Sequence, residues 1–180
     1  ETTSGAASWS VIDDEDPRMA VVSQGGLFGY ADLEQGRLLL PPVYQDAGPF
    51  REGLAVVRLG DRFGLIDRDG VWRIDCGRYD YVGPLSGGRA LVRRDGLYGF
   101  IDRHGREAIA VRYPFACRFH EGRAVVRIGD KYGYIDTEGR QAIPPVFDRA
   151  YRFIGGKARV NRCGETFFID KSDECWLKFD

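Results

Sequence analysis

The chain repeats itself every 34 or 35 residues. Its marker is a glycine, a second residue, an aliphatic and an aspartate: Gly64-Leu65-Ile66-Asp67, Gly99-Phe100-Ile101-Asp102 and Gly133-Tyr134-Ile135-Asp136. Gly29-Tyr30-Ala31-Asp32 precedes them, and Phe167-Phe168-Ile169-Asp170 follows with its glycine replaced. An alanine stands nine residues before each first position, at Ala20, Ala55, Ala90, Ala124 and Ala158. A fixed period of this size means a repeat architecture, in which each unit buries its apolar face only against its neighbours. Five copies nearly fill the 180 residues.

Each copy reads as strands and tight turns. In the unit around Ala55, an apolar run reaches Leu59, Gly60-Asp61 follows, and a second run extends from Arg62 to Asp67. The other copies place Gly25-Gly26, Asp95-Gly96, Gly129-Asp130 and Cys163-Gly164 at the same point. Such two-residue connections are β-hairpin turns, because glycine reaches positive φ without a steric penalty. A second turn follows each marker, as in Asp67-Arg68-Asp69-Gly70, where the aspartate accepts backbone N–H groups. A third strand comes next, over Val71 to Ile74, Glu107 to Ala110, Arg140 to Ile143 and Cys175 to Phe179, and then a loop with prolines and aromatics. The expected unit is a three-stranded antiparallel meander plus a loop. The acidic segment 1–16 leads into a β-repeat domain over residues 17–180.

The two-residue turn sets the register. Val57 opposes Gly64, Ala55 opposes Ile66, Val92 opposes Gly99 and Ala90 opposes Ile101, so one face of each hairpin is small and apolar. Val56 pairs with Leu65 on the other face, and Arg58 stands opposite Phe63. Both faces therefore need cover, and a stack of sheets with a small face against a large one supplies it. The marker glycine is expected because a valine faces it. Phe167 puts a ring on the small face of the last unit, which favours an open, capped array over a closed five-bladed propeller.

Composition excludes several classes. The net charge is −1, with two basic and eight acidic side chains in residues 1–50 and fifteen basic against eleven acidic in residues 51–130. A generic nucleic-acid binder would be strongly basic. No apolar run approaches the ~20 residues that span a bilayer. The chain begins without methionine or signal peptide and reads as trimmed or processed. Cys76, Cys117, Cys163 and Cys175 share no repeat position and form no CxxC pair, so neither a zinc site nor a disulfide ladder is indicated. Their even number leaves one or two disulfides open, and with them the choice between cytoplasm and periplasm.

These units resemble the bacterial WG, or KWG, β-repeat family. The resemblance lies in Phe50-Arg51-Glu52-Gly53-Leu54-Ala55-Val56-Val57, in Phe119-His120-Glu121-Gly122-Arg123-Ala124-Val125-Val126, in Asp130 to Asp136 and in Ile143-Pro144-Pro145 to Asp148. It covers nearly the whole chain from about Met19. The family's tryptophan before the glycine is here Phe28, Phe63, Tyr98 and Tyr132, with Thr166 in the last copy, so an aromatic is kept in four of five. The resemblance implies a bacterial protein with a binding or scaffolding repeat and carries no catalytic residues or cofactor. Some family members look like antagonists encoded beside toxins, others like surface or periplasmic proteins.

Several residue sets invite a functional reading. Arg58, Arg93 and Arg127 share one repeat position, and Arg89, Arg123 and Lys157 share another, four residues earlier. Stacked copies align them into a basic stripe for an acidic partner. The register also offers a structural reading, with Arg93 and Arg127 over Tyr98 and Tyr132 as cation–π pairs. It pairs Arg89, Arg123 and Lys157 with Asp102, Asp136 and Asp170. The marker aspartates cap turns, because Asp67-x-Asp69-Gly70 lacks the later glutamate of a calcium loop. His104 and His120 have no serine or cysteine partner at a recognised motif spacing.

The loops vary most between copies, and loops on a rigid scaffold tend to hold specificity. Tyr44, Phe115 and Phe147 fit either as core plugs or as anchors, whereas Tyr79, Tyr81 and Tyr113 depart most from the proline-rich loop and are the better interface candidates. The acidic run Asp13, Asp14, Glu15 and Asp16 is either a solvated tail or a dock for a basic partner. The expected protein is a non-catalytic repeat module that binds another protein, most concretely a toxin antagonist, or immunity protein, blocking its partner by shape and charge. The alternative is an envelope or carbohydrate-binding module.

Overall fold

The computed structural model describes residues 9–75, 77, 79–172 and, as a strand course, 175–178. The chain divides into two compact units, Glu1–Arg78 and Tyr79–Asp180. The first holds two antiparallel sheets. One is ordered β1 (Ser10–Asp13), β2 (Ala20–Gln24), β3 (Leu27–Asp32) and β4 (Arg37–Tyr44). The other runs β5 (Asp46–Ala47), β6 (Ala55–Leu59), β7 (Arg62–Ile66) and β8 (Trp72–Asp75).

The second unit holds three sheets. They comprise β9 (Tyr81–Ser86) to β12 (Glu107–Tyr113) by way of β10 (Arg89–Arg94) and β11 (Leu97–Asp102), then β13 (Ala124–Ile128), β14 (Lys131–Ile135) and β15 (Gln141–Phe147). The last is β16 (Arg149–Ala150), β17 (Lys157–Arg162), β18 (Glu165–Asp170) and β19 (Cys175–Lys178). Among the described residues the one helical segment is the 3-10 turn Pro17–Met19. No helix among them is long and apolar enough to cross a membrane.

The all-β repeat is as expected, and so is the hairpin register. Val57 faces Gly64, Ala55 faces Ile66, Val92 faces Gly99 and Ala90 faces Ile101. Gly129 and Gly60 take φ of 58° and 63° in these turns, the left-handed region that glycine reaches without a Cβ clash.

The meander, however, gains a fourth strand. Part of the segment read as a loop pairs with the first hairpin strand, as β5, β9 and β16. The β13 sheet has the same pairing as a single bridge, Ala116 to Val126, with Cys117 donating to the Val125 carbonyl at 3.0 Å. The proline-containing stretch is strand too, since β4 and β15 run through Pro41-Pro42 and Pro144-Pro145. There the ladder bulges. Between its pairings with Phe28 and Tyr30, β4 runs from Tyr44 to Leu40, so the single residue Gly29 faces three, Pro41, Pro42 and Val43. Proline has no N–H to contribute, and a bulge is where a strand tolerates it.

The bulge corrects the reason for the marker glycine. A Cβ on Gly29 would lie 2.6 Å from the Leu40 carbonyl oxygen, and one on Gly99 2.7 Å from that of Ile109. The obstacle is the backbone of the third strand folded over the glycine, not the valine across the hairpin. At Gly64 the indole of Trp72 fills the same space. The last sheet shows the converse. Its third strand passes without a bulge beside Phe167, pairing Phe167 with Lys178 and Phe168 with Leu177. Among the described residues the bulge that folds backbone over the glycine of the other sheets is missing there, which suits a ring.

Cores form between successive sheets. In the first unit Val21, Tyr30, Leu40 and Tyr44 from one sheet meet Ala55, Val57 and Ile66 of the next. In the second unit Leu91, Phe100, Ile109 and Tyr113 meet Ala124, Val126 and Ile135, with Phe119 between them. Val125, Tyr134, Ile143 and Phe147 likewise meet Ala158, Val160 and Ile169 around Phe153. A large face thus packs on a small one each time. Phe167 belongs to this last core, with its ring 6.3 Å from that of Phe147. It therefore faces the preceding sheet and does not block the outer face, where Arg159 pairs with Phe168.

Candidate functional site

In the second unit an open groove of about 910 Å³ runs across all three sheets near their first strands. Its apolar lining comes from Tyr81 on β9, Leu91 on β10, Phe115 before β13, Ala150 on β16 and Phe168 on β18. Ile154 adds an aliphatic side chain that is 66% exposed. Arg118, Arg152, Lys157 and Arg159 supply positive charge, and no carboxylate lines the groove among the described residues.

The repeat explains how these residues converge. Tyr81 and Phe115 hold the same position in successive copies, where the other copies carry Asp46 and Arg149. Arg118 and Arg152 share another, held by Pro49 and Pro84 elsewhere. Arg159 stands where Val21, Val56, Leu91 and Val125 stand in the other units. Stacked sheets bring equivalent positions together, so substitutions at three scattered points become one surface.

Two groups with reactive chemistry line this groove. Burial pushes the Cys117 thiol up, against the opposing pull of Arg118 and Arg152. Burial pushes His120 down, and Arg152 and Arg118 push it further. Both are therefore neutral near pH 7, the reverse of the low-pKa thiolate and charged imidazole of a cysteine nucleophile. Cys117 and Cys163 are free thiols, whereas Cys76 and the Cys175 side chain fall outside the described residues. Among the described residues, no three His, Cys, Asp or Glu side chains gather as metal ligands.

The residues singled out from sequence are dispersed. Tyr81 lines the groove and is 39% exposed, but Tyr79 and Tyr113 are 5% and 3% exposed. The Arg94 guanidinium lies 5.6 Å over the Tyr79 ring, and that of Arg112 lies 5.1 Å over Tyr113. Arg58 lies in the first unit and Arg93 and Arg127 in the second. All three are half-buried within their sheets, with Arg93 in register between Tyr81 and Tyr98. The Nε atoms of Arg93, Arg123 and Arg127 are buried without a hydrogen-bond partner among the described residues.

Arg89 stands in register with Asp102, yet its Nε donates to the Thr137 carbonyl at 2.9 Å. The marker aspartates cap their own turns, as expected. Asp102 accepts from the His104 and Arg106 N–H groups, and Asp136 accepts from Glu138 N, Arg140 N and the Arg140 guanidinium.

The acidic run is built into the first unit. Asp13 ends β1 and accepts from Glu15 N. Asp16 accepts from Arg18 N and, at 2.6 Å, from Arg68, while Glu15 pairs with Arg51. The hydrogen bond from Arg68 is the main reason the Asp16 carboxyl titrates below its usual range. Asp14 is exposed. The basic members of the groove, Arg118, Arg152 and Arg159, escaped the sequence reading. For Arg159 the legible signal was a charge at a repeat position that is aliphatic in every other copy, and for Arg118 and Arg152 an arginine where two copies carry proline.

Tandem four-residue markers and small sheets that stack large face on small face define a β-repeat module. Residues 28–62, 63–98, 98–132 and 132–162 each match the WG containing repeat, and the chain belongs to that family. A search of curated protein sequences found no match. Among solved structures, Hsv2 of Kluyveromyces marxianus is similar with a TM-score of 0.59 at 9% identity, over 95% of this chain and 64% of that one. Kluyveromyces lactis Hsv2 is similar with a TM-score of 0.55 at 8% identity, over 94% and 62%. A eukaryotic initiation factor follows at 0.51 and 11%, over 84% and 49%. The likeness is to β-propeller and WD40-like folds and concerns the fold alone. This chain spans about three fifths of the Hsv2 chains it matches.

Proposed function

We propose that this chain is a non-catalytic protein-binding module, and more narrowly a toxin antagonist that occludes a site on its partner. One observation carries the reading: a groove with an apolar floor and a wholly basic charged lining, whose arginines stand where other copies carry proline or an aliphatic residue. Apolar anchors ringed by charge are the usual composition of a protein interface. The neutral Cys117 and His120 favour binding over catalysis. Carbohydrate binding is less well supported, because the Arg159 guanidinium covers the Tyr151 ring at 4.2 Å and leaves no open platform there.

The test is capture on the immobilised chain, identification by mass spectrometry, and assay of the captured protein with and without this chain. Inhibition that weakens as salt rises is expected. A captured enzyme that keeps full activity in the complex overturns the antagonist role. Salt-insensitive retention of cell-wall glycan alone overturns protein binding.

A further inference from the structure

We propose that the groove of the second unit takes an acidic, extended segment of another protein, with carboxylates flanking an aliphatic or aromatic anchor. This deepens the protein-binding reading above and rests on it.

The first argument is charge. Several arginines elsewhere meet carboxylates, among them Arg18 with Glu34, Arg68 with Asp16, Arg73 with Asp67 and Arg140 with Asp136. In the groove Arg118, Arg152 and Arg159 have no carboxylate partner among the described residues. Guanidinium groups suit bidentate pairing with carboxylates. Three of them over an apolar floor leave the complement to be supplied by a ligand.

The second argument is that the scaffold does not require them. Arg159 occupies a position whose aliphatic equivalents Val21, Leu91 and Val125 are buried in the core. Arg118 and Arg152 replace Pro49 and Pro84. Beside them Ile154 leaves an aliphatic side chain largely in solvent, where it can meet an apolar anchor.

The third argument separates peptide from nucleic acid, which a basic, aromatic groove could also take. Single-stranded nucleic acid stacks its bases on open ring faces. Here Tyr151 lies under Arg159, and the Phe115 ring meets Tyr132 edge-on at 5.6 Å and 79°. Of the remaining rings, Phe168 stands in register with Arg159, which leaves Tyr81 as a single exposed ring among the aliphatic Leu91, Ala150 and Ile154 and not a series on which successive bases could stack.

The experiment is selection of a random peptide phage library on the full chain, with oligo-deoxythymidine as a second probe. Selected peptides should be rich in aspartate and glutamate around a large apolar residue. Their affinity should fall at least about tenfold from low to high salt. The double variant Arg118→Glu, Arg152→Glu should lose them and keep its circular dichroism spectrum, because both side chains are exposed. Ile154→Asp should weaken them independently, which guards against misfolding of the double variant. Selection without acidic bias, no enrichment above background, survival of binding in both variants, or preference for the oligonucleotide would each overturn the proposal. If a protein is nevertheless captured as described above, the failure is confined to this groove and the protein-binding reading stands.

Discussion

Gly133 lies beneath Pro145, so close that a Cβ on the glycine would stand 2.8 Å from the proline nitrogen and 2.7 Å from the Ile143 carbonyl oxygen. Both obstacles are backbone, and the bulge that holds them is part of the sheet ladder. Gly133→Ala should therefore destabilise by about 1–3 kcal/mol, the usual range for forcing volume into a packed site. Gly64→Ala meets the Trp72 ring as well as backbone, so it should also shift tryptophan fluorescence. Chemical denaturation of the two variants checks both expectations, and unchanged stability of Gly133→Ala would refute the close approach.

Tyr134 joins two sheets of the second unit. Its hydroxyl donates to the Tyr151 carbonyl at 2.8 Å and its ring meets Phe153 edge-on at 5.0 Å. Tyr134→Phe keeps the ring and should cost about 1 kcal/mol, the net worth of one hydrogen bond. Tyr134→Ala removes the ring as well and should cost about 3–5 kcal/mol. In the first unit Tyr30 makes the equivalent bond to Gly48 at 2.8 Å, so Tyr30→Phe should behave as Tyr134→Phe does. Urea midpoints measured at constant slope decide it.

Glu121 caps the Gly155-Gly156 turn of the next unit, accepting from the two N–H groups at 2.6 and 2.9 Å. The Gly156 N–H is the largest influence on this carboxyl, followed by opposing burial and then by Gly155 and Lys171, and the net effect holds it below the usual glutamate range. Asp148 is held down chiefly by Lys131 and then by the Cys163 N–H. Their contribution is complete above the ordinary carboxylate range. It is lost as pH falls through the depressed folded values, because the unfolded chain takes up protons first. Melting temperature should therefore be flat from neutral to mildly acidic pH and fall below roughly pH 4, near the ordinary carboxylate range. Glu121→Gln should lower the plateau and make the acid limb shallower. An unchanged acid limb would exclude the cap as a source of stability.

Arg127 has a buried Nε without a hydrogen-bond partner among the described residues. An unsatisfied buried donor opposes folding, while the aliphatic stem of the side chain contributes packing. Arg127→Met keeps the stem and removes the donor, so stability should be equal or higher. Arg127→Ala loses the stem and should be less stable than Arg127→Met. The reverse order in denaturant titrations would show that the guanidinium itself stabilises the sheet.

The period of the repeat, the hairpin register and the turn-capping aspartates were legible in the sequence, because each is a local rule. Two-residue turns set strand pairing, alternation sets the faces, and Asp136 reaches only its own turn. Equivalent residues such as Ala55 and Ala124 then had to share one packing role. The tertiary structure decided what depends on a third strand or a neighbouring sheet. It folded the Pro144-Pro145 backbone over Gly133, and it turned the Phe167 ring toward Phe147. It buried Tyr79 and Tyr113 while leaving Tyr81 at the groove. Arg118 and Arg152 share a repeat position, but Arg159 holds a different one, and nothing along the chain joins the three as a set. Stacking brings them around one groove, since sheets packed large face on small face carry their non-repeating edges to the same side.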